Sequence, residues 1–279
     1  MRRVIPTLIT LGLLSAGFFA WRDTTTVRLR EVEIAAPGLA RDVTILHVSD
    51  LHGARFGDGQ ADIGSLLGGR TFDAVVINGD HIPTFESPPD PALELLSILA
   101  THAPTVAVTR GNHDTAGVLD ALAEAGAVHL GDGRPHAAIA PDAGTVLLAP
   151  VRPSEALPDA DVTVTVSHFP MTDEALREHV AVTGGLALYL FGHTHGGQMR
   201  LPLLGAVWAP GPVDAYGEAP RRHAAETFFP ELRGMQVSGL AERAGAHVHI
   251  SAGLGTQGVP VRLFCPAEVT AITLRASAE

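Results

Sequence analysis

Phe191-Gly192-His193-Thr194-His195-Gly196-Gly197-Gln198 is the stretch on which the fold reading turns. The apolar run 186–191 leads straight into it, the pattern of a buried strand that opens into a glycine-rich loop. In extended backbone His193 and His195 point to the same side. Neutral imidazole is a strong ligand for zinc, manganese, iron and similar ions. The glycines remove side-chain bulk, so another group can approach the backbone. Taken alone, the pair is as much a turn or packing feature as a ligand pair. Four other apolar stretches end in the same way, each in Asp, His or Asn.

Working outward, residues 43–48 read as a strand ending in Ser49-Asp50-Leu51-His52, and 74–77 as one ending in Asn78-Gly79-Asp80-His81. Residues 105–109 run into Arg110-Gly111-Asn112-His113-Asp114, and 162–166 into Ser167-His168. Helical patterns fall between them: 61–67, closed by Gly68-Gly69, then a helix opening at Asp90-Pro91 with Leu93, Leu96 and Leu99 inward, then one capped by Thr115 or Asp114, then one from Thr172 to about residue 182. Residues 27–34 alternate in period two and read as an edge strand. The early half reads as βαβ units, the late half as more antiparallel pairing. The expected architecture is α/β (α+β): two packed mixed β-sheets flanked by helices, preceded by an N-terminal membrane segment. Residues 202–230 carry five prolines and little pattern.

Composition narrows the function classes. A net charge of −11 argues against nucleic acid as a partner. All 19 basic residues are arginine, which removes Schiff-base and P-loop lysine chemistry. The single cysteine, Cys265, excludes an intramolecular disulfide. Arg2 and Arg3 precede a nearly uncharged run ending at Trp21, the pattern of a signal-anchor with the remainder of the chain outside the cytoplasm. A cleaved signal peptide is the rival reading. The domain division is therefore 1–23, the address, and 24–279, the functional domain.

In α/β sheets the ligand site lies beyond the carboxyl ends of the strands, so Asp50, His52, Asp80, Asn112, His113, His168, His193 and His195 should converge. That set exceeds what one tetrahedral zinc takes. It suits two divalent ions sharing a carboxylate, with one imidazole left over. Oxygen and nitrogen ligands without thiolate favour manganese, iron, zinc or cobalt, manganese being preferred. Such a pair clamps a phosphorus centre for in-line displacement and turns a bridging water into hydroxide near neutral pH.

These blocks, in this order, resemble the calcineurin-like metallophosphoesterases. The ending Gly253-Leu254-Gly255-Thr256 with Pro260-Val261-Arg262 looks like the membrane-linked bacterial phosphodiesterase branch. The resemblance implies the αββα metallophosphoesterase sandwich, with Asp50, His52 and His195 on the first ion, Asn112, His168 and His193 on the second, and Asp80 bridging them. It implies that His113 stabilises phosphoryl charge or protonates the leaving oxygen, oriented by Asp114. The expected substrate is a phosphodiester or pyrophosphate, lipid-linked or from the cell envelope. A phosphomonoesterase and a non-catalytic metal-binding scaffold are the alternatives. The expected location is the cell membrane, catalytic domain extracytoplasmic, or export with cleavage. Two positions depart from the family pattern: Pro83 stands three residues after Asp80, where an acid is common, and Gly53 follows His52, where a larger residue is common.

Other signals weigh less. Gly253-Leu254-Gly255-Thr256-Gln257-Gly258 fits a dinucleotide fingerprint by letters, but Val259-Pro260 cannot open the helix that should follow, so a loop beside the site is expected instead. His47, His247 and His249 read as core, His81 as a neighbour of the bridging carboxylate, and His102, His129, His136, His179 and His223 as surface. Arg55, Arg200 and Arg262 lie near motif loops, where each either grips phosphate or forms a salt bridge. Trp208, Tyr216, Phe228 and Phe229 either dip into lipid headgroups, cover the site, or pack on the sheet.

Overall fold

A computed structural model describes residues 4–131, 136–181, 183, 185–212 and 226–276, with side chains from residue 10 onward. Tyr216 and His223 lie outside the described residues. In chain order the strands are β1 (Val27–Ala35), β2 (Val43–Ser49), β3 (Ala74–Asn78), β4 (Val106–Thr109), β5 (Val128–His129) and β6 (Ala137–Ile139). Then come β7 (Val146–Pro150), β8 (Val162–Val166), β9 (Leu186–Phe191), and the short β10 (Arg200–Leu201), β11 (Gly205–Ala206), β12 (Trp208–Pro210) and β13 (Glu226–Phe228). The last are β14 (Gly239–Arg243), β15 (Ala246–Ile250) and β16 (Ala267–Arg275). The helices are α1 (Val4–Thr25), α2 (Ala61–Leu67), α3 (Asp90–Leu99), α4 (Ala116–Glu124) and α5 (Asp173–Val180).

Two six-stranded sheets result, in the orders β1-β16-β2-β3-β4-β5 and β14-β15-β9-β8-β7-β6. Alternation along β2 shows why they stack. Val43 and Ile45 turn toward the second sheet, where they meet Val162, Val164, Leu188 and Leu190 in one buried cluster. Leu46 and Val48 turn the other way, onto Ile63, Leu67, Leu95 and Leu122 of α2, α3 and α4. On the far side Leu176 of α5 packs on Tyr189 and Phe191. The layers are therefore helix, sheet, sheet, helix.

The late sheet differs from its expected pairing. β15, β9, β8 and β7 are mutually parallel, and only the flanking pairs β14–β15 and β7–β6 are antiparallel. The physical cause is the connections: α5 carries the chain from β8 back to the start of β9, and the long excursion after β9 returns it for β15, as parallel strands require. In α3 the buried residues include Leu95, Leu96 and Leu99, while Leu93 is half-buried. The helix begins at Asp90 itself, after Pro89. Thr115 and Thr172 cap α4 and α5 through their hydroxyls.

The expected membrane segment falls within α1, a helix of 22 residues. Among the described residues no helix is long and apolar enough to cross a membrane. The C-terminal end of α1 docks on the domain: the Thr24 hydroxyl accepts from the Arg262 amide at 2.8 Å, and the rings of Phe19 and Phe264 are 5.0 Å apart.

Between the sheets, His47 of β2 and His249 of β15 face each other with Nδ1 atoms 2.9 Å apart, both fully buried. Burial, with repulsion from His249, holds His47 well below its ordinary value, and burial, with the charge of Arg30, brings His249 down to about 3. The folded state thus keeps both rings neutral, whereas the unfolded chain protonates them near pH 6.5. Their contribution to stability is complete above that pH and is lost as pH falls toward 3. The expected slope is about 1.4 kcal/mol per pH unit for each ring. Urea midpoints measured from neutral to acid pH should fall steeply for the native chain and less so for His47→Leu/His249→Leu. Parallel curves would remove this pair as the cause.

Candidate metal centre

The strand ends of both sheets deliver their loops to one place. The loop after β2 runs beside the loop after β3, joined by backbone bonds from Asp50 N to Gly79 O, His52 N to Asp80 O and Gly53 N to His81 O. The loop after β15 closes the other side, with Leu254 N and Gly255 N donating to the carbonyls of Ser49 and Asp50. The Gly253–Gly258 stretch therefore is a loop at the site. Gly111 makes room for the crossing: a Cβ there would lie 2.2 Å from both the amide N and Oδ1 of Asp80.

Three groups of side chains come within metal-ligating reach: Asp50, His52 and His195; Asp80, His168 and His193; and His52, Asp80 and His113. The Nε2 atoms of His52 and His195 are 3.2 Å apart. Asp80 Oδ2 lies 3.3 Å from His52 Nε2 and 3.2 Å from His168 Nε2, and Asp50 Oδ1 lies 3.5 Å from His195 Nε2. Asp50, His52, Asp80, His168 and His195 are all buried. Asn112 and His193 line the same cavity, and Asn112 Oδ1 is a buried oxygen with no hydrogen-bond partner. His168 donates from Nδ1 to the Asn78 carbonyl at 3.2 Å, which turns Nε2 toward Asp80.

With the inward ring nitrogens stripped of their protons, lone pairs converge on lone pairs beside an orphaned amide oxygen, an acceptor-only cradle that divalent cations fit. The electrostatics agree. Burial pushes the Asp80 carboxyl up, but attraction to His168 and hydrogen bonds from His168 and His52 overcome it and hold the group well below its usual range. Burial raises Asp50, with the Asp80 charge adding to it. Burial alone would lower His168, yet Asp80 and Asp50 raise it to about 10. That pull is the one the two carboxylates exert on any cation.

Five of these residues, Asp50, His52, Asp80, His193 and His195, occupy the left-handed region, with φ between 45° and 68°. Each such conformation costs on the order of 1 kcal/mol or more without glycine, the kind of strain that collects at functional sites.

His113 and Asp114 stand otherwise than the sequence implies. Asp114 does not orient His113. Its carboxylate accepts from the amides of Asp80, His81 and Gly111 and from His81 Nδ1, each at 2.8 Å. Burial would raise it, but His81 brings it down to about 2. It fixes the turn that presents Asp80. The Nδ1 of His113 instead donates to the carbonyl oxygen of Pro83 at 2.7 Å. The two departures from the family pattern meet here: a Cβ on Gly53, itself at φ +68°, would lie 2.9 Å from Cδ of Pro83.

On its other side His113 Nε2 is 3.1 Å from Nε2 of Gln257, which the sequence reading did not single out. Its signal was its place in the Gly253–Gly258 loop. The amide of Gln257 donates to Gln198 Oε1, and Gln198 Nε2 to the Val259 carbonyl, so two loops are tied across the mouth. The cavity holds about 470 Å³, and beside the His/Asp cluster its wall is mostly apolar, with Met199, Val207, Trp208, Pro210 and Val259, joined by Gln198 and Glu226.

Other expectations need correction. His102 and His179 are buried, bonded to the Arg70 carbonyl and to Tyr189 and Val151, because short helices and turns fold over them. His247 is only half-buried. None of the three arginines reaches the cavity: Arg55 pairs with Glu94 and Arg200 with Glu231. Arg262 is fully buried, with its guanidinium on the carbonyls of Ala252, Gly255 and Cys265. Trp208 lines the cavity, while Phe228 is exposed.

Residues 43–197, more than half of the chain, match the family described as calcineurin-like phosphoesterase. A stretch of 90 residues, 32% of the chain, is 29% identical to the uncharacterized metallophosphoesterase YkuE of Bacillus subtilis (strain 168). The match spans only 24% of that relative's length.

Proposed function

This chain belongs to the calcineurin-like phosphoesterase family, hydrolases of phosphoesters, and from that premise we propose that it opens phosphodiester or pyrophosphate bonds of a lipid-linked or envelope substrate. The observation that carries the reading is the buried acceptor-only cluster opening onto a cavity that is apolar on its other side. Asp50, His52 and His195 would hold one divalent ion and Asn112, His168 and His193 a second, with Asp80 shared between the two sets. When bound, such a pair supplies Lewis acidity toward the phosphoryl oxygens and a deprotonated water as nucleophile. Manganese suits the nitrogen and oxygen donors.

The chain's own residues do the rest. His113, with its Nδ1 proton held by the Pro83 carbonyl, keeps Nε2 at the cavity; as the imidazolium it meets the phosphoryl group, passes its Nε2 proton to the leaving oxygen and regains one from water. The Gln257 side-chain amide donates to that nitrogen in the neutral ring, once the proton has left. Met199, Val207, Trp208 and Val259 give an apolar leaving portion a place to lie, which supports a lipid-linked substrate. Residues 1–23 address the chain to the cell membrane, with residues 24–279 as an extracytoplasmic catalytic domain. That placement rests on Arg2, Arg3 and the apolar run after them.

The test uses the full chain in detergent, stripped with chelator and reloaded with manganese. Turnover of bis-p-nitrophenyl phosphate should return with the metal and exceed that of the monoester. A preference for the monoester would make the protein a phosphomonoesterase. No metal-dependent turnover of either would leave a metal-binding scaffold.

A further inference from the structure

The hairpin that leaves the metal centre is apolar where turns are ordinarily polar. β10 and β11 are joined through Pro202, Leu203 and Leu204, so Leu201 to Leu204 is an apolar tip without the Asn, Asp, Ser or Gly that tight turns favour. Leu203 is fully exposed at 102% and sits at φ +68°, a costly position for a side chain with nothing to bury. The tip is not isolated. Leu201, Leu203 and Leu204 line one open hollow together with Leu232, 64% exposed, and Phe264, and the charges at its edge, Arg200 and Glu231, are paired with each other. A contiguous exposed apolar patch of this kind marks an interaction surface.

Two further observations identify the partner. Phe264 stacks on Phe19, so the patch continues onto α1, where Leu14, Phe18 and Trp21 are also exposed. Phe264 also lines a neighbouring cleft with Arg28, Arg30 and Arg200, whose one carboxylate, Glu268, is buried. In a chain of net charge −11, arginines placed at the rim of an apolar patch match anionic headgroups above an acyl layer.

We propose that the Leu201–Leu204 tip, with Leu232 and Phe264, inserts into the surface of a phospholipid bilayer while Arg28 and Arg30 meet the phosphate layer. This contact is additional to any anchoring by α1. The residues flanking the hairpin, Met199 and Val207, line the metal cavity, so the insertion brings the cavity mouth to the membrane surface.

The test places an environment-sensitive fluorophore on Leu203→Cys, and separately on Leu232→Cys, in the full chain. Cys265 is buried, and the unsubstituted chain treated with dye serves as blank. On vesicles of phosphatidylcholine and phosphatidylglycerol, both labels should shift to the blue. Lipids brominated near the headgroup should quench them severalfold, whereas a label at the exposed Asp120→Cys should not respond. Water-like emission from both labels on a chain that floats with the vesicles would overturn the insertion and leave the α1 anchor standing. Failure to float at all would overturn both. Neither outcome bears on turnover of a soluble diester, which tests the phosphoesterase reading separately.

Discussion

Replacing Asp80 with Ala leaves a protein that holds neither divalent ion and turns over diester about 10³-fold or more slowly than the native chain. The Asp80 side chain reaches both proposed ligand sets and the His113 loop. Its Oδ2 lies within 3.3 Å of His52 and His168, and its Oδ1 accepts the His113 amide at 2.8 Å. Asp114 holds the peptide that presents it. Removing the carboxylate deletes the one charge shared by both ligand sets and the support of the His113 loop. Asp80→Asn separates the contributions, since the amide preserves shape and one acceptor oxygen but no charge. The expectation is an apo protein that still folds, with metal content by elemental analysis near zero in both variants. Two tightly held ions in Asp80→Ala would refute the bridging role.

His113→Ala should behave differently. It keeps both ions and loses turnover by about 10²–10⁴-fold, the range expected for a proton-transfer group. The loss should be smallest for esters with an acidic leaving alcohol, such as nitrophenol, and largest for alkyl esters, which need the proton. His113 also stands with His52 and Asp80 in a cation-compatible group, so the alternative is concrete. Parallel loss of metal and turnover would make it a ligand. Unchanged turnover on alkyl esters would remove it from the chemistry.

Much of this centre is legible in the sequence because each functional side chain follows a strand whose apolar run is unambiguous. Val43 to Ser49, Ala74 to Asn78 and Leu186 to Phe191 are apolar enough to fix where the loops start, and the parallel sheet does the gathering. What sequence could not show depends on partners far along the chain. Pro83 accepts from a histidine 30 positions away, and Gln257 meets the same ring from 144 positions away. Asp114 beside His113 looks like its partner by proximity, yet strand-end geometry turns it to His81 instead. Arg262 looks like a phosphate grip because charge suggests solvent, and only the fold shows its guanidinium satisfied by buried carbonyls. The left-handed backbone at Asp50, His52 and Asp80 has no local signal, since none of them is glycine.

The contact between Gly53 and Pro83 makes the two positions interdependent in any lineage that carries them. A side chain at 53 is obstructed while the proline ring stays, and φ +68° strains it as well. A single step back at 53 therefore passes through a poorer intermediate. An engineer who restores position 53 must replace Pro83 in the same move.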